Sequence, residues 1–443
     1  MKGREYYTIF LTDFRYSNFD VDRLTYRQKG TTFYVDAFYL PSDELCPICE
    51  SSNPYRFGYR LKTVKHCTNY TWLYIVTCHI QRYKCKKCGA TFYEKDTFSN
   101  PKECLSKETV LAILERLKLP NETFESVASG LHLSKMEVIE IFDRYIDYRP
   151  PATLPEVLSF DEKSVNKKMA DSRYLFVIVD FLNNKIYDIL YSRHKNVISS
   201  YFSKIPIETR KKVKYITIDM WETYRIVAET YFKWAKIAID SFHVVNLVQN
   251  ALNRIRLGVM QKFNNGADNP ENNHVFYYML KKYQYILFAN FDDLPEGRKY
   301  NRKLHSWMDK HQIRRKYLLD IDERLEKGYW LFSRYLEFNK TASYETCREE
   351  LEILIEDFFD SKLPTFIDVA KTLSNWKEYI INSFITIDVG DNRKRRLSNG
   401  PIEGINAQIQ TIKSNGHGYL NFNRFRNRCV YVINKDVPRK VNK

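Results

Sequence analysis

Apolar residues recur three and four apart from Ser106 to Tyr148, the period of helices that bury one face. "SKETVLAILERLKL" predicts one amphipathic helix, and "NETFESVASGLHLSKMEVIEIFDRYI" predicts two shorter ones joined by a tight turn. Asn121 is placed to cap the first of that pair, Gly130 to break it and Ser134 to cap the next. Ahead of these helices the pattern is different. Tyr, Phe, Thr and β-branched residues gather in short runs such as "GTTFYVDAFYL" and "TWLYIVTCHI", which read as strands, with residues 1–40 forming short strands or an extended arm.

After "RPPATLP", where successive prolines disfavour helix and mark a linker, the pattern changes again. "EVLSFDEKSV", "RYLFVIVDF", "NKIYDILYSR", "VKYITIDMW" and "WAKIAIDSFHVV" are short β-type runs, the later ones alternating with helical stretches such as "ETYRIVAETYFK". Strands first, then helix–strand alternation, predict a mixed sheet with flanking helices. Residues 259–389 are mostly helical and read as an all-α insertion. The expected order is an N-terminal arm (1–40), a metal-binding module (41–100), a helix-turn-helix domain (102–148), a mixed α+β domain (154–258 and 390–443, with a basic tail) and the insertion between its two parts.

Length and charge narrow the partners. With 443 residues, 44% apolar and 15% aromatic, the chain has material for several cores. Its 70 Lys and Arg against 54 Asp and Glu, a formal charge of +16, favour a polyanion, because each neutralised phosphate releases condensed counterions. No stretch approaches the roughly 18 apolar residues of a membrane span, and the first residues lack a signal-peptide core. A soluble, cytoplasmic, nucleic-acid-binding protein is expected, with no membrane partner.

Nine cysteines in such a chain are thiols or metal ligands rather than disulfides. "CPICES" (Cys46, Cys49) and "YKCKKCGATF" (Cys85, Cys88) are two CxxC knuckles joined by β-rich sequence. Each knuckle supplies two soft ligands from one turn, and together they make a tetrahedral Zn²⁺ site. Free buried thiols or a redox pair are the plainer alternative. A helix, a glycine turn and a second helix beside such a module is the layout that sets a helix in the major groove, which makes Ser134 and Lys135, at the start of that helix, candidate DNA contacts. A plain three-helix bundle has the same spacing.

Asp161, Asp219 and Asp240 each close an apolar strand, where groups that bind ligands collect in such sheets. "RKRRLSNGPIEGINAQIQTIK" holds a single acid, Glu403, after Arg393, Lys394, Arg395 and Arg396. Two aspartates on neighbouring strands and a glutamate on a crossing helix would make a hard oxygen cage for Mg²⁺ or Mn²⁺, able to activate an attacking oxygen on a phosphodiester. Any one of these acids could instead cap or complement a helix. His243, three residues after Asp240, is placed to contact a phosphate or to hydrogen-bond inside the fold. From residue 391 on there are 12 Lys or Arg against 3 Asp or Glu, so Arg393 to Arg396 and Lys413 are candidate phosphate contacts.

"LSFDEKSV", "YITIDMWETY", "AIDSFHVVNLVQNALNRIR" and "LSNGPIEGINAQIQTIKSNGHGYLNFNRFRNR" resemble the motifs of the ISL-three family of bacterial insertion-sequence transposases, and the likeness covers nearly the whole chain past residue 40. The resemblance implies a zinc finger, a helix-turn-helix and a DDE catalytic domain of ribonuclease-H-like fold, interrupted before its glutamate by a helical insertion. Asp161, Asp219 and Glu403 fall on the catalytic triad, and Asp240 with His243 on an Asp-x-x-His pair that recurs in the family. The implied activity is metal-dependent cleavage of double-stranded DNA at terminal inverted repeats and strand transfer into target DNA, by a homodimer that pairs two ends. The rivals are a non-catalytic DNA-binding regulator and a structure-specific nuclease.

Overall fold

The computed structural model describes residues 18–40, 45–52, 54–68, 71–165, 169, 173–264, 273–289, 294–295, 297–390 and 393–440. The chain divides into two units, Met1–Arg149 with Ala407–Lys443, and Pro150–Asn406.

In the first unit β1 (Thr25–Lys29) and β2 (Thr32–Phe38) form a hairpin that turns at Gly30, whose φ of +61° suits a residue without Cβ. β3 (Pro54–His66) and β4 (Leu73–Cys85), each 13 residues long, pair antiparallel, and β5 (Thr91–Tyr93) joins the far end of β4. β2 runs parallel to β4, with Thr32 opposite Leu73 and Phe38 opposite His79. The described part of the expected arm, residues 18–40, is thus built into a five-stranded sheet of order β1-β2-β4-β3. Alternate residues of β2 and β4 point into a core with Phe19, Val64 and Phe98, the two-residue period of strands with one buried face.

Three helices follow: α1 (Lys107–Arg116), α2 (Phe124–Gly130) and α3 (Lys135–Tyr145). Ser134 caps α3 in a reciprocal box with Glu137, as its position predicts. Asn121 does not cap α2: that helix begins later, and Thr123 with Ser126 forms the box. Nor does Gly130 make the turn. It stays in the last turn of α2, and His132, at φ 52°, takes the left-handed position.

The C-terminal helix Phe422–Asn434 belongs to this same unit. Arg424 pairs with Asp143 of α3 through Nε and Nη2 at 3.0 and 2.6 Å, and Asn427 Nδ2 donates to the Ile146 carbonyl. Arg428, 1% exposed, donates from Nη2 to the carbonyls of Leu119 and Glu122 at 3.0 and 2.7 Å. Arg439 pairs with Glu115 and Lys440 with Asp147. The segment expected to be a basic tail of the catalytic domain directs these cations inward, onto carbonyls and carboxylates around the helix-turn-helix.

The second unit is built on a sheet of order β10-β9-β6-β7-β8. β6 (Val157–Ser164), β7 (Tyr174–Asp180) and β8 (Lys185–Leu190) form an antiparallel meander. β9 (Tyr215–Ile218) lies parallel to β6, and β10 (Lys236–Ile239) parallel to β9. "LFVIV" in β7 is buried without interruption, as a strand covered on both faces requires. α4 (Lys195–Ser203) and α5 (Glu222–Tyr231) pack on the sheet, and α6 (Ser241–Lys262) leaves β10 and runs through the expected boundary at 258/259.

Beyond it, α7 (Glu323–Thr341), α8 (Cys347–Asp360) and α9 (Pro364–Asn375) share one core with the sheet and α6. Gly328 lets α7 cross α6 closely: a Cβ there would stand 3.0 Å from Ile255 Cδ1. The insertion is not all-α, because β11 (Lys299–Asn301) and β12 (Ser306–Met308) form a two-stranded ribbon within it. β13 (Thr386–Asp388) pairs with β14 (Lys394–Arg396), and α10 (Gly400–Asn415) follows.

Candidate active site and thiolate cluster

Asp161 lies within β6 rather than at its end. β6 continues to Ser164 against β7, while its pairing with β9 stops at Ser159 opposite Thr217. Carried two residues further, that register sets Asp161 level with Asp219, just past the end of β9. The β9–β10 register, Ile218 opposite Ile239, likewise sets Asp219 level with Asp240. Residues at one level of parallel strands share a face, so three aspartates form a row across β6 and the ends of β9 and β10.

Beneath this row the Ser159 and Thr217 hydroxyls meet at 2.6 Å, and Thr217 Oγ1 donates to Asn399 Oδ1 at 2.6 Å. The Asn399 backbone N–H donates to Asp240 Oδ1 at 3.3 Å. The Ser-Asn-Gly turn is therefore tied to β9 and to the end of β10, and α10 starts from it with the Glu403 N–H on the Asn399 carbonyl at 3.1 Å. Further along, Asn406 Nδ2 donates to Asp161 Oδ2 at 2.7 Å. Asn399, Glu403 and Asn406 stand at i, i+4 and i+7, one stripe of a helix. With both ends of the stripe fixed to the aspartates, Glu403 lies between them. Its side chain is exposed. Among the described residues the one set of three or more metal-capable side chains mutually within 4.8 Å is the cysteine cluster, so Asp161, Asp219 and Glu403 do not close to that distance.

Side-chain capping does not account for Asp240 or Asp219. Asp240 precedes α6 but makes no side-chain cap, and Trp221, not Asp219, holds the N-cap position of α5. Asp180, by contrast, is a turn residue, accepting from Asn183 N–H and Nδ2.

Burial pushes Asp161 up to about 6, with the Glu162 and Asp240 carboxylates adding to the rise, and pushes Asp219 up to about 7, with Glu162 and Asp161 adding. His243 opposes both shifts; its Nε2 stands 3.9 Å from Asp240 Oδ2, with its side chain 42% exposed. Asp219 Oδ1, Asp240 Oδ2 and Asn406 Oδ1 are buried without a hydrogen-bond partner. Carboxylates held in low dielectric with unsatisfied oxygens are short of positive charge. The donor set is hard oxygen, and it fits Mg²⁺ or Mn²⁺.

Sequence reasoning missed Asn399 and Asn406. The spacing from Glu403 on a helix beginning at the Ser-Asn-Gly turn could have found both. It also missed Glu162, which accepts from Arg193 Nη1 at 2.6 Å and from the Tyr224 hydroxyl at 3.2 Å.

Of the candidate DNA contacts, Ser134 uses its hydroxyl in the α3 cap, and Lys135 stands exposed, 3.6 Å from Glu125. Arg393 and Lys394 are exposed, and Arg395 and Lys413 half-buried. Arg396 is turned inward: Nη1 donates to the Asn339 carbonyl at 2.7 Å, and the guanidinium lies 3.8 Å over Phe384. It braces the insertion against β14.

Cys46, Cys49, Cys85 and Cys88 converge in the first unit, with Sγ separations of 3.6 Å for Cys46–Cys88 and for Cys49–Cys85. A disulfide would need roughly 2.05 Å, whereas Zn–S bonds of about 2.3 Å give a tetrahedron with edges near 3.8 Å. Knuckle amides support thiolates: those of Cys49 and Ile48 lower Cys46, and those of Cys88 and Lys87 bring Cys85 down to about 6.

The family model described as Transposase, of the ISL3 (ISL-three) DDE type, matches residues 158–429, and the chain belongs to that family. The transposase for insertion sequence element IS1001 of Bordetella parapertussis is 22% identical over 359 residues, covering 78% of each chain. Among the described residues no helix is long and apolar enough to cross a membrane.

Proposed function

We propose that this transposase binds the terminal inverted repeats of its own element as a homodimer, cleaves the DNA strand there and joins the freed end to target DNA. The observation that carries this reading is the level register of Asp161 and Asp219 on adjacent parallel strands, with the Asn399–Glu403–Asn406 stripe laid along them. The strand order, with one meander and two added parallel strands, supports a ribonuclease-H-like core.

Asp161, Asp219 and Glu403 would hold Mg²⁺ or Mn²⁺, which supplies Lewis-acid activation of water and then of a 3′ hydroxyl. Asn399 fixes the start of α10 through Thr217 and Asp240, and Asn406 orients Asp161. His243, half-exposed beside the row, is placed to contact the scissile phosphate. The four thiolates hold Zn²⁺ and stiffen the end of the β3–β4 hairpin, and α3 enters the major groove of the repeat.

Magnesium-dependent nicking of a duplex that carries the element's end, followed by joining of a precut end to a plasmid, tests the reading. Asp161→Asn, Asp219→Asn and Glu403→Gln are each expected to abolish cleavage while keeping end binding. Cleavage at near wild-type rate in any of the three would remove that residue from the site.

A further inference from the structure

One face of β4 changes character along its length. Val76, Cys78 and Ile80 are buried in the sheet core, but Arg82 and Lys84, on the same face, emerge from it half-exposed. The partner strands follow. Arg60, opposite Ile80, and Tyr55, opposite Lys84, are exposed on β3, and so is Tyr93, opposite Arg82, on β5. Phe57, at the bulge between Arg56 and Tyr59, is 43% exposed and lies under two cations, with Arg82 at 5.0 Å and Lys84 at 5.5 Å from its ring. Arg60 and Arg82 stand 5.6 and 5.9 Å from the Tyr93 ring.

The charge on this hairpin is of one sign. β3 and β4 contain six Lys or Arg and no Asp or Glu. Lys62 and Lys65 are paired, with Asp96 and Glu137. Among the described residues Arg56, Arg60, Arg82 and Lys84 have no carboxylate partner. An outer sheet face in water does not need three exposed rings, and rings interleaved with unneutralised cations cost solubility and self-repulsion. That combination does suit one ligand class, a polyanion with flat faces to stack on.

We propose that the face formed by Tyr55, Phe57, Arg60, Arg82, Lys84 and Tyr93 is a binding platform for single-stranded DNA, its rings stacking on unpaired bases and its cations tracking the backbone. The preference for unpaired over duplex DNA comes from the rings, since a duplex hides in its stack the base faces on which a ring would stack. DNA as the ligand rests on the function proposed above. The platform lies beside the thiolate cluster, which fixes the ends of both strands, and it includes none of the acids.

The test is fluorescence anisotropy of the full, zinc-loaded chain with a short dye-labelled oligodeoxynucleotide of mixed sequence, and with the same strand in duplex form, without added magnesium. Leaving magnesium out separates this result from any failure of strand cleavage. Phe57→Ala and Tyr93→Ala are each expected to weaken single-strand binding about fivefold or more and to change duplex binding less. Arg60→Gln with Lys84→Gln should flatten the single-strand salt dependence by about 1.4 in log–log slope. Phe57→Trp, which keeps a ring, should retain affinity, and unchanged zinc content confirms the fold of each variant. Unchanged single-strand affinity in the alanine variants, or a loss as large on the duplex, overturns the proposal.

Discussion

Asn406 Nδ2 donates to Asp161 Oδ2 at 2.7 Å, while the same amide's Oδ1 is buried without a partner. One end of the side chain thus holds a carboxylate of the acidic row. An amide in that position fixes which way the Asp161 carboxylate points, and groups that orient metal-binding carboxylates are worth about 10–100-fold in affinity or activity.

Asn406→Ala is therefore expected to raise the magnesium concentration needed for half-maximal nicking by about tenfold or more, with end binding unchanged. A titration with Mg²⁺ and Mn²⁺ measures this. An unaltered metal requirement would show that α10 positions Asp161 without that bond.

The cysteine cluster should carry about one zinc ion per chain by elemental analysis. Cys46→Ser and Cys85→Ser are each expected to lose it and to loosen the far end of β3 and β4, read as faster amide exchange there. Full zinc occupancy in either variant would contradict the assignment.

His66 is 1% exposed, with Nδ1 2.8 Å from the Ser106 hydroxyl that caps α1. Burial takes its imidazole from the usual 6.5 down to about 4. Between those values the unfolded chain binds the extra proton, so stability is full above about pH 6.5 and declines on acidification to about pH 4, by roughly 3 kcal/mol in all. Exchange protection of the β4 amides should fall across that window in the wild type and less steeply in His66→Gln. Parallel slopes in the two proteins would assign the acid sensitivity elsewhere.

Arg428 anchors the C-terminal helix to the loop ahead of α2 through two carbonyls. Arg428→Ala leaves both carbonyls without that donor and is expected to destabilise the first unit by roughly 2–3 kcal/mol, seen as a lower urea midpoint and weaker binding to the element's end. A midpoint within experimental error of wild type would mean that water replaces the guanidinium.

Much of this architecture is legible in the chain because local signals agree with the fold. The two knuckles show themselves by spacing alone, and "RYLFVIVDF" reads as a strand. The cap at Ser134 follows from its Ser-x-x-Glu pattern. What escaped detection depends on long-range pairing. Nothing near Arg424 or Arg428 announces that their partners are Asp143, Leu119 and Glu122, hundreds of residues earlier, so composition made an inward-facing helix resemble a solvated basic tail. Arg396 misled for the same reason, because its partner carbonyl lies on Asn339. Asp219 and Asp240 were recognisable as strand-end residues and Asp161 was not, since β6 runs on past it, and the level alignment of the three is a property of register, set by how β6, β9 and β10 pair.

The first unit takes its residues from two separated segments, Met1–Arg149 and Ala407–Lys443, with Pro150–Asn406 intervening. During synthesis α1, α2 and α3 therefore wait for the helix Phe422–Asn434 until the intervening segment has been made. A chain cut short before Phe422 keeps α1, α2 and α3 without the helix that supplies the partners of Asp143, Leu119 and Glu122.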